Sequence, residues 1–359
     1  MQSSRHLLLT LGLAGVAGGF RSPLAAQEPA RITFESYSLP NGLKVILAPD
    51  HSSQVVAVDV WYHVGSRDEV RGRTGFAHLF EHMMFQGSEN VKKAQHFQLV
   101  EQAGGSLNGS TAEDRTNFFQ ALPSNRLNLG LWLEADRMRS LAVTDSTFAN
   151  QREAVKEERR LRVDNPPYAS AIFEGMYALA DSASCFPYAH SVIGSMSDLN
   201  AAKTSDVKAF FDLYYTPNNA TLVVVGDFEP AEAKRLVEQY FGAIPRGKEP
   251  PAPSCAASFN PGAIRRPWPD PQANIPGVVL AYRVPEYRHA DTPALTLLTT
   301  ILGQGESSRI NRAVVRDRKL AQAVIVLANP FGPRRGPGVL LAFGVANQGV
   351  SADSLEPGL

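Results

Sequence analysis

The sequence predicts an α+β protein made of two consecutive units, and three observations lead to that fold class. The chain has 359 residues, which is long for one compact domain and suits two. Short β-branched runs alternate with longer runs of helical apolar spacing along most of the chain. A proline-rich stretch over residues 245–276 shows little periodicity and predicts a linker between the units.

The first 26 residues predict an export signal. Arg5 precedes an apolar run over 7–20, and a small-residue segment ends at Ala26. A mitochondrial presequence would be amphipathic and rich in arginine, whereas this run is uniformly apolar. The run is also too short to span a bilayer as a mature helix. We therefore expect an exported protein, periplasmic or secreted, with no transmembrane anchor in the mature chain.

The first unit is expected to cover residues 32–244. Strands are recognised by β-branched runs bounded by turn residues, and helices by apolar spacing and caps. In chain order the pattern predicts two strands around the Pro-Asn-Gly turn within 34–47, a strand over 55–64, a helix within 75–90, a helix over 94–103, two strands within 106–122, helices to about residue 215 with a break at 165–167, a strand over 220–226 and a helix over 230–241.

A zinc-binding pattern lies in the helix predicted within 75–90. His78 and His82 are four residues apart, so both imidazoles project from one helix face and can chelate one Zn²⁺. Glu81 lies on the same side, where it can act as a general base. An exposed imidazole pair would be only solvated surface. The flanking residues are apolar, however, and a buried charged group without a partner is costly.

A third ligand is expected from a second helix, over residues 145–163. Glu158 falls on the predicted core-facing stripe, whereas Glu157 is rotated off that stripe and is expected to be solvated. On the residues alone, an ion pair between Glu158 and a nearby arginine remains an alternative to a metal. The predicted stripe consists of Phe148, Gln151, Ala154, Val155, Glu158 and Leu161.

The second unit, expected over residues 277–359, repeats the pattern of the first. Its strand at 278–282 resembles the strand at 58–62, and its helix at 294–305 aligns with the zinc-binding pattern. In that alignment Leu295 and Thr299 stand where the two histidines stand. The second unit is therefore predicted to be a duplicated domain without the metal site.

The spacing of these residues resembles a known family. His78-Leu79-Phe80-Glu81-His82, followed after 75 residues by Glu158, is similar to the zinc signature of the pitrilysin, insulin-degrading enzyme and mitochondrial processing peptidase family. The likeness runs from about residue 32 to the end. Further matches in the family's order are Gly104–Thr111 with Asp114, Thr116 and Phe118, then Pro187-Tyr188, Ile193-Gly194, Tyr214–Ala220 and Leu222–Asp227.

The resemblance implies a fold and an activity. The fold would be two homologous domains, each a mostly antiparallel sheet packed by helices on one side, with the second domain incomplete in this chain. The activity would be a zinc endopeptidase with one Zn²⁺ per chain, held by His78, His82 and Glu158. Glu81 would be the general base toward zinc-bound water and would then protonate the leaving amine.

The resemblance also implies substrate contacts. The strand carrying Asn108 and Gly109 would be a sheet edge to which a peptide adds as a further strand. On residues alone, Asn-Gly is equally typical of a hairpin turn. Arg316 matches a substrate-binding arginine of the second half, whereas the family's companion tyrosine falls near Gln322 or Ala323. Gln151 stands where the family often has a glutamate that supports the site.

Composition limits the partners. The formal net charge is zero, which argues against nucleic acid because such partners require a basic face. The expected partners are a peptide or unfolded polypeptide substrate and a second subunit, in a homodimer or a heterodimer with a related chain. Cys185 and Cys255 are the only cysteines; free thiols are the default expectation, and a disulfide is the alternative in an oxidising compartment.

Two other functions remain alternatives. One is a partner or scaffold subunit of a two-chain peptidase, with little activity alone. The other is a metallohydrolase acting on a non-peptide substrate, because a metal site does not name the bond that is cleaved.

Overall fold

The protein is described by a computed structural model covering residues 31–178, 185–255, 262–330, 332 and 334–359. The expected signal peptide and residues 256–261 of the expected linker lie outside the described residues. No helix in the described part of the chain is long and apolar enough to cross a lipid bilayer.

Six strands form the first sheet, in the order β1-β2-β6-β3-β5-β4. They are β1 Glu35–Ser38, β2 Lys44–Pro49, β3 Val55–Tyr62, β4 Ser106–Thr111, β5 Thr116–Pro123 and β6 Ala220–Gly226. In this sheet β2 pairs with β6 in parallel and the other pairings are antiparallel. Strand β4 is one of the two edges.

Helices pack against one face of this sheet. They are α1 Phe76–Met83, α2 Gln95–Gln102, α3 Leu127–Ser140, α4 Asp145–Arg159, α6 Met196–Ala201, α7 Thr204–Tyr214 and α8 Pro230–Phe241. Between α4 and α6, the short helix α5 Met176–Ala178 packs instead against Leu341. The alternation along β3 shows the arrangement: Val56, Val58 and Val60 are buried in the core, whereas Val55 and Trp61 on the other face are exposed.

Helix α4 does not end as the sequence pattern predicts. It continues directly into a π-helical segment, Arg160–Asp164. A π turn holds more residues than an α turn, so the face presented to the core changes there. Phe148 and Val155 are buried as expected, but Leu161 is 61% exposed and Arg159 is buried instead. The expectation that Leu161 continues the buried stripe is therefore wrong.

Three strands form the second sheet, in the order β7-β9-β8, with both pairings antiparallel. They are β7 Gly277–Val284, β8 Ala321–Ala328 and β9 Gly338–Ala346. Helices α9 Thr292–Gly303 and α10 Ala352–Leu355 accompany them, together with the π-helical segment Asn311–Asp317. The order repeats β3-β5-β4 of the first sheet, which agrees with the predicted duplication. The predicted α+β class, with mostly antiparallel sheets packed by helices, is confirmed.

Two connections tie the sequence-distant parts together. Cys185 and Cys255 form a disulfide, so the default expectation of free thiols is wrong. Sequence spacing carried no sign of this pairing. Near the second sheet, the Arg334 guanidinium donates to the Glu113 carboxylate at 2.6 Å, and both side chains are almost fully buried. Tyr177 also donates its hydroxyl hydrogen to Glu113, at 2.7 Å.

Candidate metal centre and active site

Helix α1 is capped by a buried carboxylate from the preceding loop. Its N-cap residue, Gly75, has a φ of 89° and offers no side chain. Instead, Glu69 accepts hydrogen bonds from the backbone N–H groups of Gly75 and Ala77, each at 2.8 Å. These N–H groups would otherwise lack partners, and a negative charge at this end also complements the helix dipole. His190 lies 3.1 Å from the same carboxylate through Nε2. The start of α1 is thus held in place.

A second contact ties the start of α1 to the end of α4. A Cβ added at Gly194 would lie 2.4 Å from Cα of Gly75, so the two backbones meet where only glycine fits. Arg159, at the end of α4, donates to the carbonyl oxygen of Gly194 at 2.6 Å. The neighbouring Glu158 is thereby positioned relative to the histidines of α1.

Three predicted ligand residues converge on one point. The Nε2 atoms of His78 and His82 lie 3.6 Å and 3.1 Å from the same Oε2 atom of Glu158. One potential ligand atom from each residue falls within 4.8 Å of the others. The other carboxylate oxygen of Glu158 forms an ion pair with Arg162, at 2.9 Å. Two imidazoles and one carboxylate are a donor set that suits tetrahedral zinc with a fourth position left for another ligand.

The charges of this cluster also suit a cation. Burial, and then the neighbouring His82, lower the pKa of His78. A neutral imidazole is the form that donates a lone pair to a metal. The hydrogen bond from His82 lowers the pKa of Glu158, which favours its carboxylate form. The residues present therefore fit zinc.

Glu81 is a residue of helix α1, and its side chain faces the edge strand β4. Its carboxylate accepts a hydrogen bond from Thr111 at 2.7 Å. A Cβ added at Gly109 would lie 3.1 Å from Cγ of Glu81, so the glycine leaves just enough room for this side chain. Burial raises the pKa of Glu81, which suits a group that must both take and give a proton.

The edge strand offers main-chain groups for pairing. Ala112 donates to the carbonyl of Arg115 at 2.9 Å, and hydrogen-bonded pairs alternate along an antiparallel ladder. The alternation directs the N–H of Gly109 away from β5 and toward the free edge. That N–H donates a hydrogen bond to the side-chain oxygen of Asn108 at 2.9 Å. A strand added at this edge would have to replace that local bond.

Two family models match the chain in sequence order. One, described as insulinase (peptidase family M16), matches residues 44–182, and another, described as the peptidase M16 inactive domain, matches residues 202–344. An uncharacterised zinc protease of Mycobacterium bovis is 30% identical over 303 residues, which cover 84% of this chain and 67% of the relative. The chain belongs to peptidase family M16. The resemblance drawn from the zinc-binding pattern is therefore confirmed.

Other M16 proteins agree with this assignment. The zinc protease PqqE of Helicobacter pylori is 34% identical over 291 residues, which cover 80% of this chain and 65% of that relative. A crystal structure of a protease from Helicobacter pylori superposes with a TM-score of 0.82 at 31% identity, covering 91% of this chain and 78% of the other. The present chain thus spans about two thirds of the length of PqqE, at 65%, and of the Mycobacterium bovis relative, at 67%.

Two further predicted site residues do not contact the candidate metal-binding cluster of His78, His82 and Glu158. Within the described residues, the side chain of Gln151 donates to Asn150 at 2.9 Å and bonds to none of the cluster. Arg316 lies in the π-helical segment Asn311–Asp317 and is exposed.

Three residues that position the site were not predicted from the sequence: Glu69, Thr111 and Arg159. Thr111 is part of a matched motif, and its place two residues after Gly109 on one face of a strand was an available signal. Glu69 and Arg159 gave no local signal, because each acts on backbone groups of another segment.

Proposed function

We propose that this chain is a zinc-dependent endopeptidase that hydrolyses peptides or unstructured polypeptide segments. The observation that carries the proposal is the convergence of His78, His82 and Glu158 beside a partly buried Glu81, at a free sheet edge. In this proposal the first three residues hold one Zn²⁺ and Glu81 is the general base.

Each group has a separate task. Zinc, when bound, supplies a positive charge that acidifies water and polarises a carbonyl group. Glu81 takes a proton from the water that attacks the scissile carbonyl carbon. The protonated Glu81 then gives that proton to the leaving amide nitrogen, which departs as an amine. The largely buried surroundings of Glu81 strengthen its electrostatic interactions.

The substrate is proposed to bind as an added strand on β4. The outward-facing N–H of Gly109 would donate to the peptide main chain once Asn108 releases it. Main-chain pairing depends little on side chains and requires an extended segment, which a folded protein rarely offers. We also propose that Arg316 contacts the substrate and that Gln151 supports the site. Neither side chain contacts the cluster in this structure, so both roles require a rearrangement.

The domain organisation and the location are also proposals. The catalytic domain would cover residues 32–244, the linker 245–276, and the homologous domain without metal 277–359. The apolar segment at the start of the chain and the disulfide both favour export to an oxidising compartment such as the periplasm.

The test combines zinc analysis by mass spectrometry with cleavage of a quenched fluorescent peptide. Glu81→Gln should keep one zinc per chain and lose turnover by about three orders of magnitude or more. Glu157→Gln is the matched control, because that exposed carboxylate pairs only with Arg160, at 2.8 Å, among the described residues. It should retain both zinc and activity.

The other outcomes discriminate between the functions. Zinc without cleavage by the wild type, with activity gained on mixing with a related chain, would support the alternative of a partner subunit. Substantial cleavage by Glu81→Gln would remove Glu81 from the mechanism. A folded protein without zinc would overturn the proposal.

A further inference from the structure

The end of strand β4 contacts the proposed general base at two points. Gly109 and Thr111 are two residues apart in β4, so both face the helices rather than the open side of the sheet. The backbone of Gly109 leaves room for Cγ of Glu81, as the 3.1 Å distance to an added Cβ shows. Thr111 donates its hydroxyl hydrogen to Oε2 of Glu81 at 2.7 Å. Together they restrict both the position and the rotation of this side chain.

Thr111 is itself held rigidly. It is paired with Thr116 across the hairpin, and the next residue, Ala112, closes the turn by donating to Arg115 at 2.9 Å. The hydroxyl of Thr116 is anchored to the carbonyl of Val64 at 2.9 Å in the core. A β-branched side chain on a strand has little χ1 freedom, so the hydroxyl of Thr111 is a fixed point.

The hydrogen bond also separates the two oxygens of the carboxylate. Among the described residues, Thr111 is the side-chain hydrogen-bond donor to the Glu81 carboxylate, and the acceptor atom is Oε2. The other oxygen, Oε1, is left for the proton that Glu81 takes from water. A glutamate has three rotatable bonds, and holding them in one arrangement before the reaction lowers the entropy cost of reaching the transition state.

We propose that Thr111 is a positioning residue for Glu81, which it orients so that Oε1 faces the reacting water. This inference rests on the proposed peptidase function. The hydroxyl of Thr111 bonds to Glu81, and its effect reaches the reaction through that carboxylate.

The experiment compares Thr111→Val with Thr111→Ser. Valine keeps the shape and suits a strand, so the fold and the zinc content should not change. Loss of the hydroxyl should lower kcat by about 10–100-fold, with KM within about two-fold, as is typical of lost outer hydrogen bonds at a metal site. Serine keeps the hydroxyl and should recover most of kcat.

A second measurement separates positioning from substrate binding. Affinity for a labelled peptide, followed by fluorescence anisotropy, should be equal within about two-fold for Glu81→Gln and for Glu81→Gln with Thr111→Val. Weaker binding by the double variant would show that Thr111 holds the substrate, and would overturn the inference. If the valine variant loses its near-ultraviolet circular dichroism, Thr111→Ala replaces it in both measurements.

The possible failures are distinct. If the wild type cleaves peptides and Thr111→Val cleaves within about three-fold of it, the inference alone is wrong. If Thr111→Ser is as slow as Thr111→Val, shape rather than the hydroxyl matters, and the inference is again wrong. If the wild type cleaves no peptide, the proposed function fails and the inference falls with it.

Discussion

Replacing Arg334 with methionine should destabilise the fold by about 3–5 kcal/mol, because it leaves the carboxylate of Glu113 buried without its cation. The Arg334 and Glu113 side chains are 3% and 0% exposed, and their closest atoms are 2.6 Å apart. Among the described residues, the other side-chain donor to Glu113 is the hydroxyl of Tyr177, which is neutral. Methionine fills most of the arginine volume, so lost packing contributes less than the lost charge.

This loss is a large share of the roughly 5–15 kcal/mol that stabilises an ordinary domain. With a urea m-value of about 3 kcal/mol/M, the midpoint should fall by about 1–1.7 M. Unfolding is followed by tryptophan fluorescence. Arg265→Met is the matched control, because Arg265 pairs with Asp353 and Glu356 on the surface, and its midpoint should barely move.

A double variant tests the cause of the loss. Glu113→Gln with Arg334→Met removes both charges but keeps an acceptor for Tyr177, so it should recover more than half of the lost stability. Unfolding of Arg334→Met at the same urea concentration as Arg265→Met would show that the buried charge pair does not stabilise the fold. A double variant less stable than the single one would show that the unpaired Glu113 carboxylate is not the cause of the loss.

Three further predictions concern stability. Burial raises the pKa of Asp68 to about 6, so the folded chain keeps a proton that the unfolded chain releases near pH 4, and stability falls as pH rises from about 4 to about 6. Asp68→Asn should remove that decline, up to about 3 kcal/mol in urea titrations; an unchanged slope would contradict this. Replacing Cys185 and Cys255 with alanine should cost about 2–4 kcal/mol, because the disulfide closes a loop across 70 residues; equal urea midpoints would exclude this role. Gly194→Ala should lower stability by about 1–3 kcal/mol and zinc content with it, because its Cβ would press on Gly75 at the start of α1; full zinc occupancy would argue against the coupling.

Local patterns predicted most of the elements and the candidate ligands that the structure brings together. The spacing of His78 and His82 specifies one helix face, and the apolar flanks specify burial, so the pair could be placed before any fold was known. Glu158 followed from a second helical stripe and from the resemblance. Each of these inferences needs only neighbours within a few turns of helix.

Contacts between distant segments could not be predicted in the same way. The disulfide and the ion pair of Glu113 with Arg334 join residues whose spacing carries no periodic signal. The cap that Glu69 gives to α1 is closer in sequence, but it comes from the loop before the helix and also lacks a periodic signal. The exposure of Leu161 was missed for another reason. The helical period was extended through residue 163, whereas the chain widens into a π turn after Arg159.

The strand order of the first sheet has a consequence for biosynthesis. Strands β2 and β3 follow each other in the chain but are not paired, because β6 lies between them. Roughly 100 residues separate the end of β5 from the start of β6, which a ribosome needs about 5–20 s to add. During that interval β2 and β3 each expose an unpaired main-chain edge, the kind of surface on which nascent chains aggregate. The sheet becomes continuous only after residue 226 has emerged, so folding of the nascent chain must wait for a strand made long after its two neighbours.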